Sequence, residues 1–169
     1  GKEWLREVAD IVNSMNKPLV WTTPSGFEVH HVYNQVLERV SYAELFNKQQ
    51  LTFATVTEDL DGKAQYLAIS PNFIHSLDAA HMFMTIYSML NIGISAYSFV
   101  HDSYGTYATD ISSMHTILRE EFVKIHKENQ LERLKEETEK RYGIFLPDCP
   151  KEEDGFIIEE VLKSRYFFA

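Results

Sequence analysis

Met82 to Val100 runs for 19 residues without a charged side chain, and no other stretch limits so strongly what the chain can become. Its length is close to that of a membrane-spanning helix. Its content is not: Thr85, Tyr87, Ser88, Asn91 and Ser95 interrupt the apolar run, and Asn91-Ile-Gly93 is a helix-stop signal in its middle. The pattern predicts a buried helix, a turn and a buried strand, with no membrane partner. A chain of 169 residues, 44% of them apolar, can cover such a run with one sizeable core, or can be a substantial piece of something larger.

The segments on either side complete an α+β pattern. Lys2 to Met15 places Trp4, Val8, Ile11, Val12 and Met15 at helical spacing, and Lys17-Pro18 ends that helix. Leu19 to Trp21 and Phe27 to Val32 read as short strands around the turn Thr23-Pro-Ser-Gly26. Asn34 to Gln50 is compatible with more than one element. Leu51 to Thr57 alternates, Asp61-Gly62 is a hairpin turn signal, and Lys63 to Ile69 is expected to return as the partner strand. Pro71 is expected in the first turn of the longest helix. A hairpin follows over Tyr97 to Ala108, and Asp110 caps a helix with Ile111, Met114, Leu118, Phe122 and Ile125 on one stripe. Leu131 to Tyr142 reads as a surface helix with four-apart pairs Glu136–Lys140 and Glu137–Arg141, ended by Gly143. Ile157 to Ser164 is a last short helix.

Charge narrows the function. A net charge of −9 argues against free-standing nucleic-acid binding, which needs clustered Lys and Arg. Any basic surface for nucleic acid has to come from elsewhere. The single cysteine, Cys149, cannot form an internal disulfide, and no basic-then-apolar leader precedes the first helix. Neither a Gly-x-Ser-x-Gly elbow nor a Gly-x-x-x-x-Gly-Lys phosphate loop occurs.

Three constellations are candidates for chemistry. The stretch Tyr97-Ser-Phe-Val-His-Asp-Ser-Tyr-Gly-Thr106 brings His101 and one carboxylate, Asp102, to a tight turn. Such a turn is suited to holding a divalent metal over a phosphate, although Asp and Ser also favour turns for purely local reasons. His75, Asp78 and His81 lie three apart and share one polar arc of a helix. Zinc sites on helices more often use four-apart histidines, so hydrogen-bonded histidines on a packed face are the preferred reading there. The apolar ending Tyr166-Phe-Phe-Ala169 would hold its free carboxylate in a defined place if tied into a core.

Taken together, the chain resembles the carboxy-terminal part of the single-subunit, phage-type DNA-directed RNA polymerases, including the mitochondrial members. Four stretches carry the resemblance: Trp21-Thr-Thr-Pro-Ser-Gly-Phe27; Pro71-Asn-Phe-Ile-His-Ser-Leu-Asp78 with His81; His101-Asp-Ser-Tyr-Gly-Thr106; and Ser164 to Ala169. The resemblance implies a right-hand polymerase fold, with helices around a small antiparallel palm sheet and a protruding β-hairpin. It implies a fingers-side segment over 1–70 and a palm segment over 71–169. Asp102 would help hold two magnesium ions, with His101 beside it near the RNA 3′ end. His75 would help sense the ribose 2′-hydroxyl, and Ala169 would lie close to the active site. Tyr104 and Lys63 are further candidates for substrate or nucleic-acid contact, Lys63 from a hairpin in the place of the promoter-reading specificity loop.

The same resemblance implies partners: a DNA template and promoter, RNA product, ribonucleoside triphosphates, and the amino-terminal polymerase portion or a second subunit. The family's first metal-binding aspartate lies before this region, so the chain alone is expected to be inactive. The cytoplasm of a phage-infected host is the expected location, with the mitochondrial matrix as the alternative. Two other readings stand beside this one: a non-catalytic interaction module that kept the fold, and a family-A-like DNA polymerase fragment. Ser103 speaks against the latter, since the DNA enzymes carry His-Asp-Glu where this chain has His-Asp-Ser.

Overall fold

The computed structural model describes residues 1–43, 49–100, 103–151, 157–164 and 166–167. The fold is α+β. Helix α1 (Lys2–Ser14) is followed by a two-stranded ladder, β1 (Leu19–Thr22) and β2 (Glu28–His31), and by a long ribbon, β3 (Asn34–Ala43) and β4 (Gln49–Leu60). Helix α2 (Gly62–Asn91) is the longest element. It leads into β5 (Tyr97–Val100) and β6 (Ser103–Thr106), then α3 (Ile111–Lys127), α4 (Gln130–Tyr142) and a 3-10 turn at Ile158–Lys163. Among the described residues the strands form three separate antiparallel pairs rather than one sheet.

Two cores hold these elements. The first joins Trp4, Leu5, Val8 and Val12 of α1 to Leu19 and Trp21 of β1, Ile69 and Phe73 of α2, and Leu134 of α4. The helical spacing of the α1 residues explains why that helix buries one stripe. The second core gathers Met89 at the end of α2, Ile94, and Met114, Ile117 and Leu118 of α3, with Phe99 and Tyr104 packed against it. The uncharged run becomes the end of a helix, a turn at Gly93 (φ +86°) and strand β5, but the strand expected to be buried is mostly exposed, only Phe99 turning partly inward. Among the described residues no helix is long and apolar enough to cross a membrane.

The hairpin expected around Asp61-Gly62 does not form. Lys63–Ile69 is the start of α2, and Asp61 is its N-cap, the carboxylate accepting from the Ala64 amide at 3.0 Å. Lys, Ala, Gln and Leu in that stretch are good helix formers. Burial of Gln65, Ile69 and Phe73 at helical spacing decides the matter. The partner of Leu51–Thr57 is the previously open segment: Val36 pairs with Val56, Leu37 with Thr55 and Arg39 with Phe53. Residues 44–48, between these strands in sequence, lie outside the described residues. Val36, Leu37, Val40, Phe53 and Val56 are all exposed, so the ribbon shows apolar side chains to solvent along its length.

Pro71 is likewise not at a helix start. It lies inside α2, which runs without a break through position 70/71. Further along, α3 buries Met114, Ile117, Leu118, Val123 and Ile125 while Ile111 stays exposed. Helix α4 begins with an Asn129 side-chain cap and ends at Gly143 in the left-handed region (φ +65°). Glu137 and Arg141, expected to pair with each other, take other partners. Glu137 accepts from the Thr22 amide at 2.8 Å and from Arg133 at 3.3 Å, and Arg141 pairs with Glu28 at 2.6 Å. These contacts fasten α4 to the β1–β2 ladder.

Candidate active-site face

The β5–β6 hairpin is anchored from below by aromatic rings. Tyr97 pairs with Thr106, Ser98 with Gly105, Phe99 with Tyr104 and Val100 with Ser103. Side chains alternate across a ladder, and Phe99 and Tyr104 turn to the second core with their rings edge to face at 5.0 Å. Thr106 closes the base by donating to the Ala96 carbonyl at 2.7 Å. His101 and Asp102 follow Val100 in sequence and precede Ser103; both lie outside the described residues, as does Ala169.

His81 sits beneath this hairpin. It is buried, and its Nε2 lies 2.8 Å from the Leu118 carbonyl. A carbonyl only accepts, so Nε2 carries the hydrogen. Burial lowers the ring's pKa, against the opposing pull of that carbonyl, and keeps the neutral form. The ring also meets Tyr104 at 6.2 Å and Phe122 at 5.7 Å. Phe122 in turn stacks on His126 at 4.1 Å and meets Phe167 edge-on at 4.8 Å. Arg119 donates to the Ser164 carbonyl and reaches His115, a second tie on the carboxy-terminal segment. Helices α2 and α3 and the end of the chain therefore converge under the hairpin that carries the His-Asp pair.

The polar arc His75, Asp78, His81 is divided by the fold. His81 points inward, whereas His75 and Asp78 are exposed. His75 lines a cavity of about 680 Å³ together with Pro71 and Ile74 of α2, Lys2 and Leu5 of α1, and Leu131 of α4. Lys63 is exposed on the first turn of α2, not on a strand of a protruding hairpin. The ring of Tyr104 is engaged by Phe99 and His81. Burial pushes the Cys149 thiol up to about 12, which leaves it protonated and unreactive at neutral pH.

Sequence reasoning missed how two of the resembling stretches meet. Trp21 Nε1 donates to Ser76 Oγ at 3.0 Å, which joins the Trp21 segment directly to the Pro71–Asp78 segment. Buried His31 bonds the Gln65 carbonyl at 2.9 Å and Asn72 at 3.2 Å, and Asn72 donates to the Tyr33 hydroxyl at 2.9 Å. The signal for His31 was its place in β2, where alternation sends it inward.

Magnesium takes hard oxygen ligands and needs only one or two carboxylates besides water and phosphate oxygens. The Asp102 carboxylate is a donor of that kind. Among the described residues no group of three or more His, Cys, Asp or Glu side chains is placed to hold a metal.

The family model for DNA-dependent RNA polymerase matches residues 1–153. The chain is 40% identical over 166 residues to DNA-directed RNA polymerase 2B, chloroplastic/mitochondrial, of Nicotiana tabacum, covering 98% of this chain and 16% of the relative. It is 39% identical over 168 residues to DNA-directed RNA polymerase 1, mitochondrial, of Arabidopsis thaliana, covering 99% and 17%. Against DNA-directed RNA polymerase 2A of Nicotiana tabacum the identity is 40%, covering 98% and 48%. The chain belongs to the DNA-dependent RNA polymerase family, in its single-subunit, phage-type class. It spans between about a sixth and about half of the length of these relatives. Two of the three carry organellar names, which is compatible with the mitochondrial alternative and not with a phage-infected host cytoplasm.

Proposed function

We propose that this chain is the carboxy-terminal catalytic portion of a DNA-directed RNA polymerase acting in an organelle, with the mitochondrial matrix as its location. The reaction served is attack of an RNA 3′-hydroxyl on the α-phosphate of an incoming ribonucleoside triphosphate, with pyrophosphate leaving, directed by a DNA template. The observation that carries this reading is the hairpin β5–β6, seated on its own core and bearing His101-Asp102 between its paired ends, in a chain that matches the family nearly end to end.

Asp102 supplies one carboxylate to a shared two-magnesium site; the amino-terminal portion supplies the other. When bound, the ions supply charge neutralisation at the reacting phosphate and the leaving pyrophosphate. His101 lies beside the RNA 3′ end. His75, exposed on α2, faces the ribose of the incoming nucleotide, and the terminal Ala169 carboxylate lies near the site. The β3–β4 ribbon, in place of the expected Asp61-Gly62 hairpin, reads promoter DNA. Lys63, at the base of that ribbon, contacts nucleic acid.

One carboxylate cannot assemble the site, so the chain alone is inactive. The test is extension of an RNA primer on a DNA template by the chain alone, by the amino-terminal portion alone, and by both together. Ribonucleotide incorporation by the mixture only is expected. Failure of the mixture contradicts the reading, and preferential incorporation of deoxyribonucleotides points to the DNA polymerase alternative.

A further inference from the structure

Proline has no N–H, so Pro71 leaves the Leu67 carbonyl of α2 without its helical donor and weakens the helix there. His75 follows one turn later. The side chain proposed to meet a sugar in a fixed direction is therefore carried one turn beyond a missing helical hydrogen bond.

The neighbouring ladder compensates from one side. His31, only 2% exposed, projects from the end of β2 against α2. Its Nε2 donates to the Gln65 carbonyl at 2.9 Å, because a carbonyl can only accept. Its Nδ1 is then an acceptor, and the Asn72 amide donates to it at 3.2 Å. The second hydrogen of that amide goes to the Tyr33 hydroxyl at 2.9 Å. One neutral tautomer satisfies every partner. Gln65 and Asn72 are seven residues apart, about two helical turns, and Pro71 lies between them. Four residues beyond Asn72, Trp21 Nε1 donates to Ser76 Oγ, which donates to the Phe73 carbonyl at 2.7 Å. His75 lies about 60° round the axis from Asn72, outside this bonded face and on the wall of the cavity.

We propose that His31 is a positioning residue for His75: its imidazole splints the proline-interrupted turn of α2 from Gln65 to Asn72 and thereby fixes the direction in which His75 meets the nucleotide sugar. The inference rests on the role proposed above for His75. It assigns ribose selectivity partly to a buried side chain that touches neither substrate nor nucleic acid.

The test uses the polymerase reconstituted from this chain and the amino-terminal portion. It reads the ratio of kcat/KM for a ribonucleoside triphosphate to that for the matching deoxyribonucleotide. Both values come from one preparation, so the fraction of folded enzyme cancels. His31→Phe keeps a ring of similar size and removes both hydrogen bonds. His31→Gln offers an amide N–H and C=O spaced much like the two ring nitrogens. The ratio should fall about tenfold in His31→Phe, within the range reported for small misplacements of reacting groups. His31→Gln should return it to within about threefold of the parent by restoring the same donor and acceptor. Should His31→Phe fail to fold, Asn72→Ala, a partly exposed site, decides on the same ratio, with a fall expected. His75→Ala separates the two claims. An unchanged ratio there overturns the reading of His75 and this proposal with it. A lowered ratio in His75→Ala with parental ratios in His31→Phe and Asn72→Ala overturns the positioning role alone.

Discussion

At the scale of single residues, His31 and His81 have the same chemistry: each is buried and held neutral by desolvation, with one ring nitrogen on a backbone carbonyl. A pKa below the ordinary 6.5 in the folded state means that the unfolded chain takes up more protons as pH falls through that value. Stability is therefore complete above about pH 6.5 and is lost as pH falls toward the folded-state pKa. Thermal melts at pH 7.5 and 5.0 should show His31→Gln losing less stability on acidification than the parent; parallel losses would contradict the account of His31. Packing gives a second expectation. Leu134 is 1% exposed in the first core, and Leu134→Ala should cost about 2–5 kcal/mol in denaturant unfolding. Phe145 is 96% exposed, and Phe145→Ala should stay within about 0.5 kcal/mol of the parent.

At the scale of elements, Asp61 shows why some of the fold was legible and some was not. Asp-Gly is a signal for a hairpin turn and Asp is equally a helix N-cap. The choice is made by what Gln65, Ile69 and Phe73 bury, which is a tertiary fact. Asp61→Ala should therefore destabilise the fold by about 1 kcal/mol through loss of the Ala64 cap. The same change should leave hydrogen-exchange protection of the β3–β4 ribbon intact; collapse of the ribbon would mean that Asp61 acts as a turn residue after all. Helix α1 was readable because its apolar period agrees with where it packs, the β1–β2 ladder from its turn residues, and α4 from its charge spacing and the Gly143 stop, while the stripe read for α3 is only partly the buried one. The ribbon was not, because both of its faces are exposed and burial imposes no clean alternation on β3. Of the site, the motif stretches were visible one by one. The contacts between them, Trp21 to Ser76 and His31 to Asn72, are long-range and became visible only in three dimensions.

At the scale of the molecule, a chain of net charge −9 belongs to a family that works on nucleic acid. The two facts agree if the basic walls of the cleft lie on the part of the polymerase outside this chain, which covers 16% to 48% of its relatives. Exposed Ile74, Phe83, Tyr87 and Leu90 along α2 are in keeping with a polypeptide that packs against more protein. In the proposed function, Asp102 contributes one carboxylate to a metal clamp completed by another part of the polymerase. Primer extension by the reconstituted polymerase carrying Asp102→Asn tests it most directly, since the substitution keeps size and removes the charge. Ribonucleotide incorporation should fall by at least about two orders of magnitude, the scale of losing one such electrostatic contributor, while assembly with the amino-terminal portion is unchanged. Incorporation at the parental rate by the Asp102→Asn enzyme would contradict the account.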